Sequence, residues 1–87
     1  MALITLHFIS RVGGDQNEFE FQTMTSAVFR SVLQVVCDQH GFILETIGIA
    51  TTRGTVLTST DLDLTVEEVI TKFEGTTFEI IDQGVVG

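Results

Sequence analysis

"SAVFRSVLQVVCDQHGF", residues 26–42, is the stretch whose period decides the fold. Val28, Phe29, Val32, Leu33, Val35 and Val36 recur at helical spacing and form one broad apolar stripe, while Arg30, Ser31, Gln34 and Asp38 mostly take the other side. Thr25 is the expected N-cap and Gly41 the expected C′ residue. That makes a helix of about four turns, rising roughly 1.5 Å per residue. β-Branched valines lower helix propensity, so this helix must be held by packing its stripe against strands.

The strands lie on both sides of it. "ITLHFI" alternates, with Ile4, Leu6 and Phe8 facing one way and Thr5, His7 and Ile9 the other. "RVGGDQN" supplies turn residues, and "EFEFQ" alternates again with Phe19 and Phe21 inward, completing an N-terminal hairpin. After Gly41, "ETIGIATT" reads as a third strand with Ile47 and Ile49 inward, and "RGTVL" as a turn into a short fourth. Thr65 followed by Glu68 is a capping box opening a short helix with Val66, Val69 and Ile70 on one side and Gly75 at its end. "TTFEII" is the last strand, with Phe78 and Ile80 inward.

The order ββαββαβ has one amphipathic helix to cover and one sheet to cover it with, which gives an α+β two-layer domain. The helix crossing after a hairpin brings a later strand back parallel beside the first, the β-grasp or ubiquitin-like arrangement of about five strands. A ferredoxin-like split βαβ fold ranks second, because it calls for two helices of similar length. No repeat, linker or low-complexity tract interrupts the chain.

Composition excludes several functions. Eighty-seven residues suit one domain. Twelve acidic against four basic residues leave a net charge of -8, which repels nucleic-acid phosphates and anionic lipid surfaces. Cys37 has no second cysteine to pair with, and the N-terminal segment lacks the charge and apolar run of a leader, so a soluble intracellular monomer without membrane insertion is expected. Cys37 and His40 make a Cys-x-x-His, yet a structural zinc site asks for four ligands and the only other histidine is His7. No metal or cofactor is expected; Cys37 reads as a buried apolar residue and His40 as a helix-end cation when protonated. Glu67-Glu68 and Asp61-Asp63 read as solvated carboxylates at a helix start and in a loop, and no base, nucleophile and orienting group converge, so no enzymatic activity is expected.

The size, the element order, the run "SAVFRSVLQVVCDQHGF", the single lysine in "EVITKFEGTTFEII" and the terminal "VVG" together resemble the ubiquitin-fold modifier of ufmylation. Val86-Gly87 matches that family's Val-Gly ending, although this chain is more acidic and reads Asp82-Gln83-Gly84 where relatives carry arginines. The resemblance implies a β-grasp body over residues 1–83 and a flexible conjugation tail at 84–87. It also implies a processing cysteine protease, an E1-like activating enzyme with its ATP, an E2-like conjugating enzyme and an E3-like ligase acting on target proteins. The implied setting is the cytosol and the cytosolic face of the endoplasmic reticulum, with organelle import left open.

The tail chemistry agrees with this. Gly87 lacks a Cβ, so its carbonyl is open to attack by a thiolate and then by a substrate amine, ending in an isopeptide bond. Gly84 supplies a hinge, and Val85 and Val86 two apolar handles. Lys72 is the only lysine, so a chain of such modifiers has only Lys72 as side-chain acceptor, where the resembled family also places one; otherwise Lys72 is a solvated cation at a helix end. The second strand is expected at a sheet edge that accepts an extended peptide, with Glu18, Phe19, Glu20, Phe21 and Arg30 as its neighbourhood. Phe19 and Phe21 are read as core residues there, leaving the strand backbone for pairing. A sulfur carrier and a non-conjugated ubiquitin-like adaptor are the alternatives; the carriers end in Gly-Gly, and an adaptor needs no terminal glycine.

Overall fold

The computed structural model describes residues 2–11 and 16–82. The expected turn at Gly13, Gly14 and Asp15 and the tail from Gln83 onward lie outside the described residues. Strand β1 (Leu3–Ser10) and strand β2 (Asn17–Met24) form the expected antiparallel hairpin, with Phe8 opposite Phe19 and Leu6 opposite Phe21. Helix α1 (Phe29–His40) follows, then a 3-10 turn at Leu44–Thr46, strand β3 (Ile47–Thr51), short helix α2 (Ser59–Leu62), helix α3 (Val66–Phe73) and strand β4 (Thr77–Asp82).

The sheet order is β2-β1-β4-β3, and β4 runs parallel to β1 with Phe8 in register with Phe78. First and last strands are thus central neighbours, as the helix crossing of a β-grasp predicts. The inward residues of the sheet, Leu6, Phe8, Ile49, Phe78 and Ile80, meet Phe29, Leu33, Val36 and Cys37 of α1 and Val66 and Val69 of α3 in one core. Phe78 is the hinge of its aromatic part, 5.1 Å from the ring of Phe29 and 6.2 Å from that of Phe8. Aromatic pairs at such separations add to plain area burial.

Among the described residues the sheet has four strands rather than about five. Val56 of the expected fourth strand makes only an isolated bridge to Ala50. The chain turns back at once, the Thr51 N–H donating to the Thr55 carbonyl and the Leu57 N–H to the Ile49 carbonyl, and then enters the cap of α2 before a ladder can grow. The first residues of "ETIGIATT" likewise belong to the 3-10 turn, so β3 begins only at Ile47.

Helix α1 starts later than expected, and Thr25 is not its cap. Val28 holds the N-cap position in extended backbone and makes no side-chain cap. The first N–H, that of Phe29, donates to the Leu64 carbonyl at 2.8 Å, so a neighbouring strand-like segment supplies the acceptor that a capping side chain would otherwise provide. Thr25 is engaged in backbone bonds instead, to Ala2 and Glu67. The apolar stripe is also narrower: Val28 and Val35 are 41% and 43% exposed. Gly41 takes the expected left-handed conformation, φ 77°, and closes the helix through Cys37.

The capping box of Thr65 and Glu68 opens α3 as predicted. At its other end the left-handed position falls on Glu74, φ 56°, one residue before the glycine expected to end the helix. Among the described residues, no helix is long and apolar enough to cross a membrane.

Candidate functional site

The open edge of the sheet follows from hydrogen-bond alternation. The His7 N–H donates to the Thr76 carbonyl and the Arg11 N–H to the Ile80 carbonyl, so the odd residues of β1 turn their backbone groups toward β4. The even residues, Leu6 and Phe8 among them, therefore pair with Phe21 and Phe19 of β2. By the same alternation Glu18, Glu20 and Gln22 aim their N–H and C=O groups away from the sheet. No strand lies beyond β2 among the described residues. The opposite edge, β3, is closed over its C-terminal half by residues 55–57.

Side chains line that edge in two rows. On the inner side Phe19 and Phe21 are half-buried against the core. Phe19 stacks on Phe8 at 5.6 Å and carries the His40 ring at 3.8 Å, nearly parallel. His40 thus lies flat on β2 across the end of α1, a contact that its position at a helix end did not foretell. Ser10, Asn17, Glu18, Phe19, His40 and Phe42 surround a groove of about 360 Å³ between the strand and the helix. On the outer side Glu18 and Glu20 are exposed, and His7 stands directly opposite Glu20 with its Nδ1 3.4 Å from a carboxylate oxygen.

Arg30 does not join this neighbourhood. Its guanidinium donates to Asp63 Oδ1 at 2.8 Å and to the Ser59 carbonyl and hydroxyl at 2.8 and 3.0 Å. It clamps α1 to α2 rather than flanking β2. Four of the five residues expected at the edge are therefore together, and the fifth serves another contact.

Lys72 is not an unattached cation. Its Nζ hydrogen-bonds the Oδ1 of Asp61, and it lies 5.4 Å from the centre of the Phe73 ring. Asp61, expected in a solvated loop, has only 7% of its side chain exposed. It sits in a capping box of its own: its N–H donates to the Thr58 hydroxyl, and its Oδ2 accepts from the Thr58 N–H and hydroxyl. The Lys72 hydrogen bond, then the Thr58 N–H, hold its carboxyl below the ordinary aspartate range. The signal for the capping box alone was in the sequence, as Thr58-x-x-Asp61, one residue type away from the usual Ser/Thr-x-x-Glu.

Cys37 is buried in the core, and burial together with Asp38 and Glu45 pushes its thiol above the ordinary cysteine value. Cys37 and His40 diverge, one into the core and the other onto Phe19. Among the described residues no three potential metal ligands cluster. Gly84, Val85, Val86 and Gly87 lie outside the described residues; the last described residue, Asp82, is exposed and faces Ile47 across the β3–β4 pair.

No protein-family model matches the chain, and no curated protein matches it. Solved structures do. The chain is similar to Caldiarchaeum subterraneum ubiquitin, with a TM-score of 0.68 at 22% identity over 99% of this chain and 100% of that one. It is also similar to a ubiquitin-like protein from the hyperthermophilic archaea Caldiarchaeum subterraneum, with a TM-score of 0.53 at 23% identity over 94% and 99% of the two chains. At such identities the likeness speaks for architecture alone, and the architecture is the ubiquitin-like β-grasp.

Proposed function

We propose that this chain is a ubiquitin-like protein modifier of the ufmylation type, joined through Gly87 to lysines of target proteins. The observation that carries the reading is likeness over the full length of a protein named ubiquitin. The central position of β4 supports it, because Asp82, the last described residue, closes an inner strand of the sheet.

In this reading an E1-like enzyme adenylates the Gly87 carboxylate with ATP and takes it up as a thioester on a cysteine. An E2-like enzyme receives it, and an E3-like ligase directs it to a target amine. A processing cysteine protease exposes the glycine. The chain itself contributes an electrophile and surfaces: Gly84, Val85 and Val86 for the activating channel, and the free backbone groups of Glu18, Glu20 and Gln22 for an extended peptide of the partner enzymes. The setting proposed is the cytosol and the cytosolic face of the endoplasmic reticulum.

Mass spectrometry of the protein incubated with ATP and extract of its source cells tests this. A higher-mass adduct released by thiol is expected, absent when Gly87 is deleted. A thiocarboxylate would indicate a sulfur carrier, no change would indicate an adaptor, and equal attachment of the Gly87-deleted form would refute the reading.

A further inference from the structure

Two cations converge on the four-residue helix α2. Arg30 reaches it from α1 through Asp63 and Ser59, and Lys72 reaches it from α3 through Asp61. Asp61 is the deeper anchor. Thr58 occupies its Oδ2, while Lys72 occupies its Oδ1 and is the one cation bonded to it among the described residues. A helix of four residues has too few internal bonds to persist alone, so α2 depends on these attachments and on the packing of Leu57 and Leu62 beneath it.

We infer that Lys72 is an acylation site coupled to the conformation of α2: joining its nitrogen to an acyl group removes the charge that holds Asp61 and releases residues 58–63 from α3. The inference rests on the reading of Lys72 as the chain acceptor. The ammonium gives one proton to solvent, and the nitrogen lone pair attacks the carbonyl carbon of a thioester. An N–C bond forms, the C–S bond breaks, the sulfur leaves as thiolate, and the second proton passes from nitrogen to that thiolate or to solvent. The product amide is neutral. A carboxylate this deeply covered keeps its charge by having partners, and with its cation gone and only the Thr58 N–H and hydroxyl left on Oδ2 it moves toward water, carrying the short helix with it.

The coupling runs both ways. While Lys72 Nζ is bonded to Asp61 Oδ1 it is held against that carboxylate, so it meets a thioester from the opened form. Reaction then prevents the pair from closing again. A singly acylated molecule consequently presents a different surface at 58–63 from an unmodified one.

Amide hydrogen exchange resolved to residues 59–64 tests this on the intact chain, comparing wild type, Lys72→Arg, Lys72→Gln, and wild type acetylated after folding with an acetyl thioester. Peptide mapping separates the Lys72 adduct from that on the α-amine. Lys72→Arg should match wild type. Lys72→Gln and the Lys72-acetylated protein should exchange on the order of ten-fold faster at 59–64, with the central β1 and β4 amides unchanged. Equal exchange in Lys72→Gln and wild type, or acceleration spread evenly over the whole chain, would overturn the coupling. The acetylated arm supplies the same loss of charge even if Lys72→Gln folds poorly. Absence of Lys72-linked dimers in the conjugation assay, with the exchange pattern intact, removes the acceptor reading and leaves the coupling standing.

Discussion

Val28 and Thr65 pair as an isolated antiparallel bridge that fastens the starts of α1 and α3 to each other. The Phe29 N–H donates to the Leu64 carbonyl and the Val66 N–H to the Ala27 carbonyl, both at 2.8 Å. Each helix thereby finds an acceptor for an otherwise orphaned donor in the segment that leads into the other. Because these are backbone bonds, side-chain changes at Thr65 leave the bridge and remove only the cap. Thr65→Ala should cost about 1 kcal/mol in urea unfolding, with the m-value unchanged.

Adjacent valines on α1 should respond very differently. Val36 is fully buried among the core residues, whereas Val35 is 43% exposed. Val36→Ala is expected to lower stability by about 2 kcal/mol, and Val35→Ala to stay within about 0.5 kcal/mol of wild type. Equal losses at the two sites would mean that the helix packs on a different face.

The Glu74 backbone sits at φ 56° without a glycine to relieve it. Its ion pair with Arg53 is 3.9 Å long between side chains each more than 70% exposed, and adds little. Glu74→Gly should therefore raise stability by about 0.5–1 kcal/mol, read as an upward shift in Tm.

Acid should weaken the fold through Asp61. Its carboxyl lies below the ordinary range because Lys72 and then Thr58 bond its charged form. A depressed acid contributes stability that is fully present above the unfolded aspartate value, near about 4, and is lost as pH falls through the folded value. Glu68, lowered by the Thr65 N–H, acts in the same direction. Urea midpoints measured from pH 7 downward should hold steady and then fall below about pH 4, and Asp61→Asn should start lower and fall less.

Proline separates the two sides of β2. The Phe21 N–H points to β1, and the Glu20 N–H points away from the sheet. Phe21→Pro should lose a ladder bond and the packing of its ring, about 3 kcal/mol or more, while Glu20→Pro should cost only about 0.5 kcal/mol. Glu20→Pro should at the same time abolish binding of any peptide that adds to this edge, measured by calorimetry or NMR titration with peptides from the partner enzymes.

Much of this molecule was legible in the sequence where one element decides its own form. The alternation of "ITLHFI" and "TTFEII" predicts the two central strands, and Thr65-x-x-Glu68 predicts the start of α3. Features decided between distant elements were not legible. Thr25 reads as a cap only while the bridge from Val28 to Thr65 is unseen, and "RGTVL" reads as a strand only while the entry into α2 is unseen. Asp61 and Lys72 lie on different helices, eleven residues apart, so nothing local showed that the carboxylate is buried or that the lysine holds it. The edge was legible because alternation in "EFEFQ" marks its two faces, while the place of Arg30 depended on where α2 would lie.

The parallel seam between β1 and β4 sets His7 beside Thr77. A chain emerging from the ribosome cannot zip that seam until residues 77–80 have been made, so the core around Phe78 stays open until then. Folding should then be slow for the size of the domain and should begin only once β4 is out of the exit tunnel. A nascent chain truncated before Thr77 would lack the partner for β1 and would be a substrate for quality control rather than a folded intermediate.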